Sequence, residues 1–191
     1  MAFASILSEA DKVAVRLRLG RPDQYFYHGT SRVRLDSIRQ YGVDPRFESD
    51  ESDYPHRDRE PGKAMRYCTD SHLDLALLAA QNKSSRPDEV VSCHPEDRLI
   101  LRTKAASLLK RDFGLDFSHE VARRAAERIL QSNQYLTPDE FIQIITYYGA
   151  ISCYEAIPSD ELEMCNGAIR SAAEVSGCQF SPLLPACRST T

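Results

Sequence analysis

Gln24-Tyr25-Phe26-Tyr27-His28-Gly29-Thr30-Ser31 is the part of this sequence that says most about its fold. Three aromatic residues run into His28 and read as a short strand over 24–28. Gly29-Thr30-Ser31 breaks that strand before a helix with Leu35, Ile38 and Tyr41 on one face and a stop at Gly42. The unit is strand, tight turn, helix. A histidine at a strand end, followed by glycine, sets an imidazole beside backbone that a flat ligand can approach, because Gly29 has no Cβ. Thr30, Ser31 and the amides after them open the helix, where unpaired N–H groups and the dipole favour a phosphate.

Working outward, Ile6, Ala10, Val13 and Leu17 recur at helical steps with Lys12, Arg16 and Arg18 between them, so an amphipathic helix packed by that apolar stripe is expected before Gly20 and Pro22. Residues 45–62 are nearly devoid of apolar side chains and read as a long exposed loop. Met65–Thr69 is a strand candidate. Asp70-Ser71 caps a helix carrying Leu75, Leu78 and Ala79 as far as Asn82, and Pro87 marks the break. Glu89–Cys93 and Leu99–Thr103 are strand candidates around a His-Pro-Glu-Asp turn. Phe117, Val121, Ala125 and Ile129 predict a helix over 118–132 with Arg123, Arg124 and Arg128 on its solvated face. Thr137-Pro138-Asp139-Glu140 is a capping box ahead of Phe141, Ile144, Ile145 and Tyr148, and Gly149 ends that helix. Ala150–Ile157 alternates as a strand, Pro158-Ser159-Asp160 opens a short helix, and 179–191 reads as coil. The expected organisation is an N-terminal helix over 1–23, one domain over 24–178 and a C-terminal coil over 179–191.

With 191 residues, 42% hydrophobic and 27% charged, the chain is of a size and composition for one packed core. A net charge of −4 argues against a dedicated nucleic-acid surface. No apolar run is long enough to span a bilayer, and the charged start reads as a helix instead of a signal peptide. A cytoplasmic location is expected, or export into a host cell by a leaderless route. The six cysteines form no CxxC pair and are expected to act as small buried hydrophobes. No metal-ligand spacing, Gly-x-Ser-x-Gly elbow or P-loop accompanies the histidines.

Four stretches, in this order, resemble the ADP-ribosyltransferase fold shared by toxins, poly-ADP-ribose polymerases and RNA 2'-phosphotransferases. They are Gln24–Ser31 with Leu35, Ile38 and Gly42; Arg66-Tyr67-Cys68-Thr69-Asp70 with Ala76; Leu99–Leu109; and Ala150–Glu163. The resemblance implies an α+β fold with a split, mixed β-sheet and flanking helices. It also implies NAD as substrate, bound by His28, Gly29, Thr30 and Ser31. His28 would bond the adenosine ribose, Gly29 the carboxamide through its main chain, and Tyr67 would stack on the nicotinamide ring, with Leu78 where a second aromatic is expected. The implied reaction is transfer of ADP-ribose to a protein acceptor, as a bacterial effector or toxin would perform it.

The catalytic glutamate of such transferases would stabilise the positive charge that builds as nicotinamide leaves. Aligning Ile157-Pro158 puts it near Tyr148, Gly149 or Ala150, none of which is an acid. Glu155 on the same expected strand is the candidate; Glu140 and Glu161 fit helix starts better. Two alternatives remain open. One is a catalytically silent NAD- or nucleotide-binding module. The other is a 2'-phosphotransferase-like enzyme, for which Arg57, Arg59 and Arg66 are the available arginines.

Overall fold

The computed structural model describes residues 6–47, 64–82, 94–116, 120–132 and 134–184. In chain order these form α1 (Glu9–Leu19), β1 (Tyr25–Ser31), α2 (Leu35–Tyr41), β2 (Met65–Thr69), α3 (Leu73–Asn82), β3 (Arg98–Lys104), α4 (Ala105–Leu109), β4 (Phe113–Leu115), α5 (Glu120–Ser132), α6 (Pro138–Tyr148), β5 (Ala150–Cys153), β6 (Glu163–Cys165), α7 (Ala172–Ser176) and β7 (Phe180–Pro182). The class is α+β, as expected, but Gly29, Thr30 and Ser31 do not form the expected turn: they continue β1, paired with Ile100, Leu99 and Arg98 of β3. The sheet differs from the expectation: its seven strands form one hydrogen-bonded sheet, β4-β5-β2-β1-β3-β6-β7, and every pair is antiparallel, so it is neither split nor mixed.

Alternate residues of a strand face opposite sides of the sheet. One side carries Phe26, Tyr67, Leu99, Leu101 and Ile151 into the larger core, closed by α1, α4 and α6. The other carries Cys68 and Ile100 into a smaller core with Leu73, Leu77 and Ala80 of α3 and Val175 of α7. Each fully buried aliphatic or aromatic side chain contributes about 1.5–3 kcal/mol.

The face of α1 is the reverse of the one expected. Lys12, Val15 and Leu19 are buried, while Val13 is 50% and Leu17 79% exposed. Polar anchors decide this: the Lys12 ammonium pairs with Asp112 at 2.9 Å and Glu9 at 3.0 Å, and Arg16 Nε donates to the Leu109 carbonyl at 2.6 Å. These long side chains bury their stems and carry the helix with them. Among the described side chains of α5, Ala122 is buried, Ala125 packs against the larger core as expected, and Val121 is exposed; Arg124 and Arg128 are exposed and pair with Glu120 and Glu140. Thr137 and Glu140 form the expected reciprocal cap. The expected 150–157 strand ends at Cys153, and Ile157 returns as an isolated bridge to Val43.

Residues 179–191 are not all coil, because Phe180–Pro182 pairs with β6 and extends the domain. A disulfide joins Cys165 to Cys178, against the expectation for those two cysteines. It pins the chain where three residues of strand would be a weak signal alone. Cys68 and Cys153 are buried free thiols, pushed by burial up to about 12 and about 11. The 48–62 part of the expected loop, the Glu89–Cys93 strand, Phe117, Cys93, Cys187 and the side chains of Arg123 and Ile129 lie outside the described residues.

Candidate functional site

Phe26 opposite Thr69 and Tyr27 opposite Cys68 set the register of β1 on β2. The next pair along is His28 and Tyr67, whose ring centroids are 5.3 Å apart at a 42° tilt. His28 Nδ1 lies 2.8 Å from the Arg66 carbonyl, and the imidazole is 5% exposed. Two segments distant in sequence thus bring the expected His28 and Tyr67 together.

Their surroundings differ from the expectation. Tyr67 is 1% exposed, so its ring offers no open face for stacking. Its hydroxyl is buried without a hydrogen-bond partner, and burial pushes the phenol well above its ordinary pKa. A Cβ on Gly29 would stand 1.7 Å from the Ala76 carbonyl oxygen, so the space the glycine leaves open is taken by α3 and not left for a ligand. Thr30 and Ser31 are buried, and Ser31 Oγ accepts from Val33 N at 3.4 Å to start a single 3-10 turn before the seven-residue α2. That arrangement presents no long helix N-terminus for a phosphate. Leu78 is 45% exposed on α3, across the sheet from the Tyr67 ring.

Glu155 is not brought to this pair. Ile151 is the β5 residue opposite Tyr67; Glu155 is four residues further, past the end of the strand and exposed, and its Oε1 accepts from Asp112 N at 2.9 Å. Gly149, in the region where the resemblance expects an acid, ends α6 in the left-handed conformation at φ 75°. A Cβ there would lie 2.1 Å from Cγ of His72. The His72 ring fills the place, with Nδ1 3.1 Å from Thr69 Oγ1.

Beside the Phe26–Thr69 pair opens a cleft of about 350 Å³. Leu19, Phe26, Ile142 and Ile145 lie behind it, the first two and Ile145 packed in the larger core. One wall holds Arg18, Arg21 and Gln24, from the end of α1 and the lead into β1. Thr69 at the end of β2, Asp70 and Ser71 in the turn after it, and Thr146 of α6 complete the lining. Gln24 Oε1 is buried and has no partner. Asp70 is exposed and is the one carboxylate among the described residues lining the cleft. Sequence reading passed over these residues. Arg18 looked like helix surface, Asp70 and Ser71 looked like a helix cap, and nothing local marks Gln24 as partnerless. The two arginines bracketing Gly20 just ahead of an aromatic strand were the available signal.

Of the arginines needed by a 2'-phosphotransferase, Arg66 pairs with buried Asp116 at 2.8 Å, and Arg57 and Arg59 lie outside the described residues. No group of His, Cys, Asp and Glu among the described residues could hold a metal ion. None of the described helices is long and apolar enough to cross a membrane.

No family model matches the sequence, and no curated protein matches it. A solved structure named EcPltA is similar at a TM-score of 0.40 and 16% identity, over 85% of this chain and 85% of that one. A likeness of that size says nothing about function.

Proposed function

We propose that this chain transfers ADP-ribose from NAD to an acceptor, with nicotinamide as leaving group. One observation carries the reading: the Tyr27–Ser31 and Arg66–Asp70 segments, distant in sequence, lie side by side, with His28 and Tyr67 ring to ring at 5.3 Å, and a cleft of about 350 Å³ opens beside Phe26 and Thr69 of the same two strands. That volume is at the lower end of the range for small-molecule sites, about 300–1,000 Å³. In the reaction the bond from the ribose C1' to the nicotinamide nitrogen breaks, a bond from C1' to the acceptor forms, and the acceptor gives up its proton. A carboxylate facing C1' stabilises the positive charge that builds in between. Asp70, the carboxylate among the described residues lining the cleft, is the candidate for that role in place of Glu155. A protein acceptor fits the acidic chain, which would repel nucleic acid at long range. The Cys165–Cys178 disulfide favours a life outside a reducing cytoplasm, hence the effector or toxin reading over the cytoplasmic one.

The test is incubation with labelled NAD and a cell lysate, reading nicotinamide release and label on protein. Asp70→Asn is expected to lower release by roughly 100-fold while NAD affinity changes little, since the charge matters chiefly in the transition state. Glu155→Gln is expected to leave release unchanged. Absence of release by the native chain, with NAD still bound, supports the second reading, a silent NAD-binding module. Gly149 and the His72 ring favour that alternative, because no carboxylate can stand where they meet.

A further inference from the structure

We propose that Asn166-Gly167, the turn that follows β6, is a site of spontaneous deamidation, and that its conversion to isoaspartate loosens β7 at the edge of the sheet. The inference does not rest on the transfer reading. Asn166 is the first residue beyond β6, and Asn166, Gly167 and Ala168 are exposed. Of the asparagines in the chain, Asn82, Asn133 and Asn166, it is the one followed by glycine. Glycine has no side chain to hinder attack by its own amide nitrogen. Gly167 sits at φ 106°, and a Cβ there would meet no atom within 4 Å, so water has access on that side. Both flanks are held, Cys165 by its disulfide and Ile169 N by the Pro95 carbonyl at 3.0 Å. The Arg32 guanidinium donates to the Gly167 carbonyl at 3.2 Å. A positive charge beside the Gly167 amide favours the nitrogen anion, which is the attacking species.

In the reaction the Gly167 amide gives its proton to hydroxide and the nitrogen bonds to Asn166 Cγ. The bond from Cγ to Nδ2 breaks, Nδ2 leaves as ammonia with a proton from water, and a cyclic imide remains. Water then opens the imide at one carbonyl or the other, leaving aspartate or isoaspartate. Nothing is oxidised or reduced, and water is the co-reactant.

The consequence falls on β7. Asn166 Nδ2 donates to Ser181 Oγ at 2.8 Å, and Asn166 N donates to the Gln179 carbonyl at 3.4 Å. β7 is three residues long and ends in Pro182, which has no N–H for the ladder. Aspartate at 166 still accepts from the Ser181 hydroxyl. Isoaspartate carries an extra methylene in the main chain and cannot keep both contacts.

The test holds the native chain and the urea-unfolded chain at 37 °C and pH 8 and reads deamidation and isoaspartate by peptide mass spectrometry. Asn166 is expected to convert in the folded chain within about tenfold of its unfolded rate, and ahead of Asn82 and Asn133. Hydrogen exchange over 180–183 is expected to quicken in the aged native chain, and to stay unchanged on ageing in Asn166→Gln and in fresh Asn166→Asp. Arg32→Gln is expected to slow conversion about threefold. Protection by the fold of more than about a hundredfold, earlier conversion of Asn82 or Asn133, or unaltered exchange in the aged native chain would each overturn the proposal. An unaltered rate in Arg32→Gln overturns the part given to that cation.

Discussion

The two faces of β1 are built to different standards. On the side of Tyr27 and Gly29, α3 sits directly on the strand, the Ala76 carbonyl fills the hollow at Gly29, and the Cys165–Cys178 disulfide closes the layer beside Phe180. On the side of Phe26 and His28, the packing is just as dense near Tyr67 and Leu101, yet buried polar atoms are left without partners. Gln24 Oε1, Tyr67 Oη and Thr103 Oγ1 are the three such atoms among the described residues. They are spread across this face: Thr103 lies opposite Phe26 on β3, and Tyr67 is on β2, on the other side of β1. Proteins satisfy nearly all buried polar groups, and local rules are broken mainly where function requires it. The two faces therefore differ in how completely their buried polar atoms are satisfied.

The largest effect is expected from filling the hollow on the sealed face. Gly29→Ala puts a methyl against the Ala76 carbonyl oxygen, which is backbone and cannot swing aside. A loss of about 3 kcal/mol or more is expected in urea denaturation, the top of the usual range for overpacking. A loss below about 1 kcal/mol would mean that α3 does not seat on β1, and the contrast between the faces would fall.

Next is the disulfide on the same face. Cys165 and Cys178 are separated by 13 residues, and closing a loop of that size constrains the unfolded chain by about 3 kcal/mol in the entropic description. Reduction, or Cys165→Ser with Cys178→Ser, is expected to lower the melting temperature and to expose the β6–β7 end first in hydrogen exchange. Unchanged exchange there would show that the smaller core holds without its staple.

The opposite sign is expected on the other face. Tyr67→Phe removes a hydroxyl that is buried without a partner and keeps the ring among Phe26, Ile151 and Cys153. Stability is expected to stay level or rise by up to about 1 kcal/mol, whereas Tyr67→Ala costs about 3–5 kcal/mol as a cavity. A clear loss in Tyr67→Phe, read by thermal melting, would show that the hydroxyl is engaged.

How much of this could be read in advance follows the same division. The aromatic start of strand β1, the Gly42 stop and the Thr137–Glu140 cap were legible because their signals are local: aromatic residues in a run, a glycine, a capping pair. The continuation of β1 through Gly29, Thr30 and Ser31 was not, because it rests on pairing with β3 some seventy residues away. The α1 face was misread because Lys12 and Arg16 look like surface residues until Asp112 and the Leu109 carbonyl, nearly a hundred residues away, come beside them. The pairing of β7 was hidden in Phe-Ser-Pro and depends on a distant cysteine. In the candidate site, His28 and Tyr67 were legible as a pair because both sit in strands. Gln24 and Asp70 were not, since their place at the cleft exists only once α1 and α6 have docked on that face. The absence of a sequence acid near Gly149 was visible, and its reason, the His72 ring, was not.

The smallest effect concerns pH, and it probes the rim of the larger core. The Arg111 guanidinium bonds Glu161 at 2.9 and 3.1 Å and holds that carboxyl below its ordinary value of 4.5. A carboxyl whose pKa is lower in the folded than in the unfolded chain adds stability that is complete above about pH 4.5 and is lost as pH falls through the folded value. Glu161 is partly exposed, so solvent screens the pair and the contribution is modest, within the range of about 0–1 kcal/mol for such pairs. Stability measured from pH 7 to pH 3 is therefore expected to fall on the acid side, and Glu161→Gln to fall less steeply there while being slightly weaker at pH 7. Arg111 also donates to the Ala156 carbonyl at 2.7 Å, so it keeps its place in that variant and the comparison isolates the charge. Identical acid limbs for the two proteins would show that the pair contributes nothing, leaving Arg111 as a backbone clamp between α4 and the segment after β5.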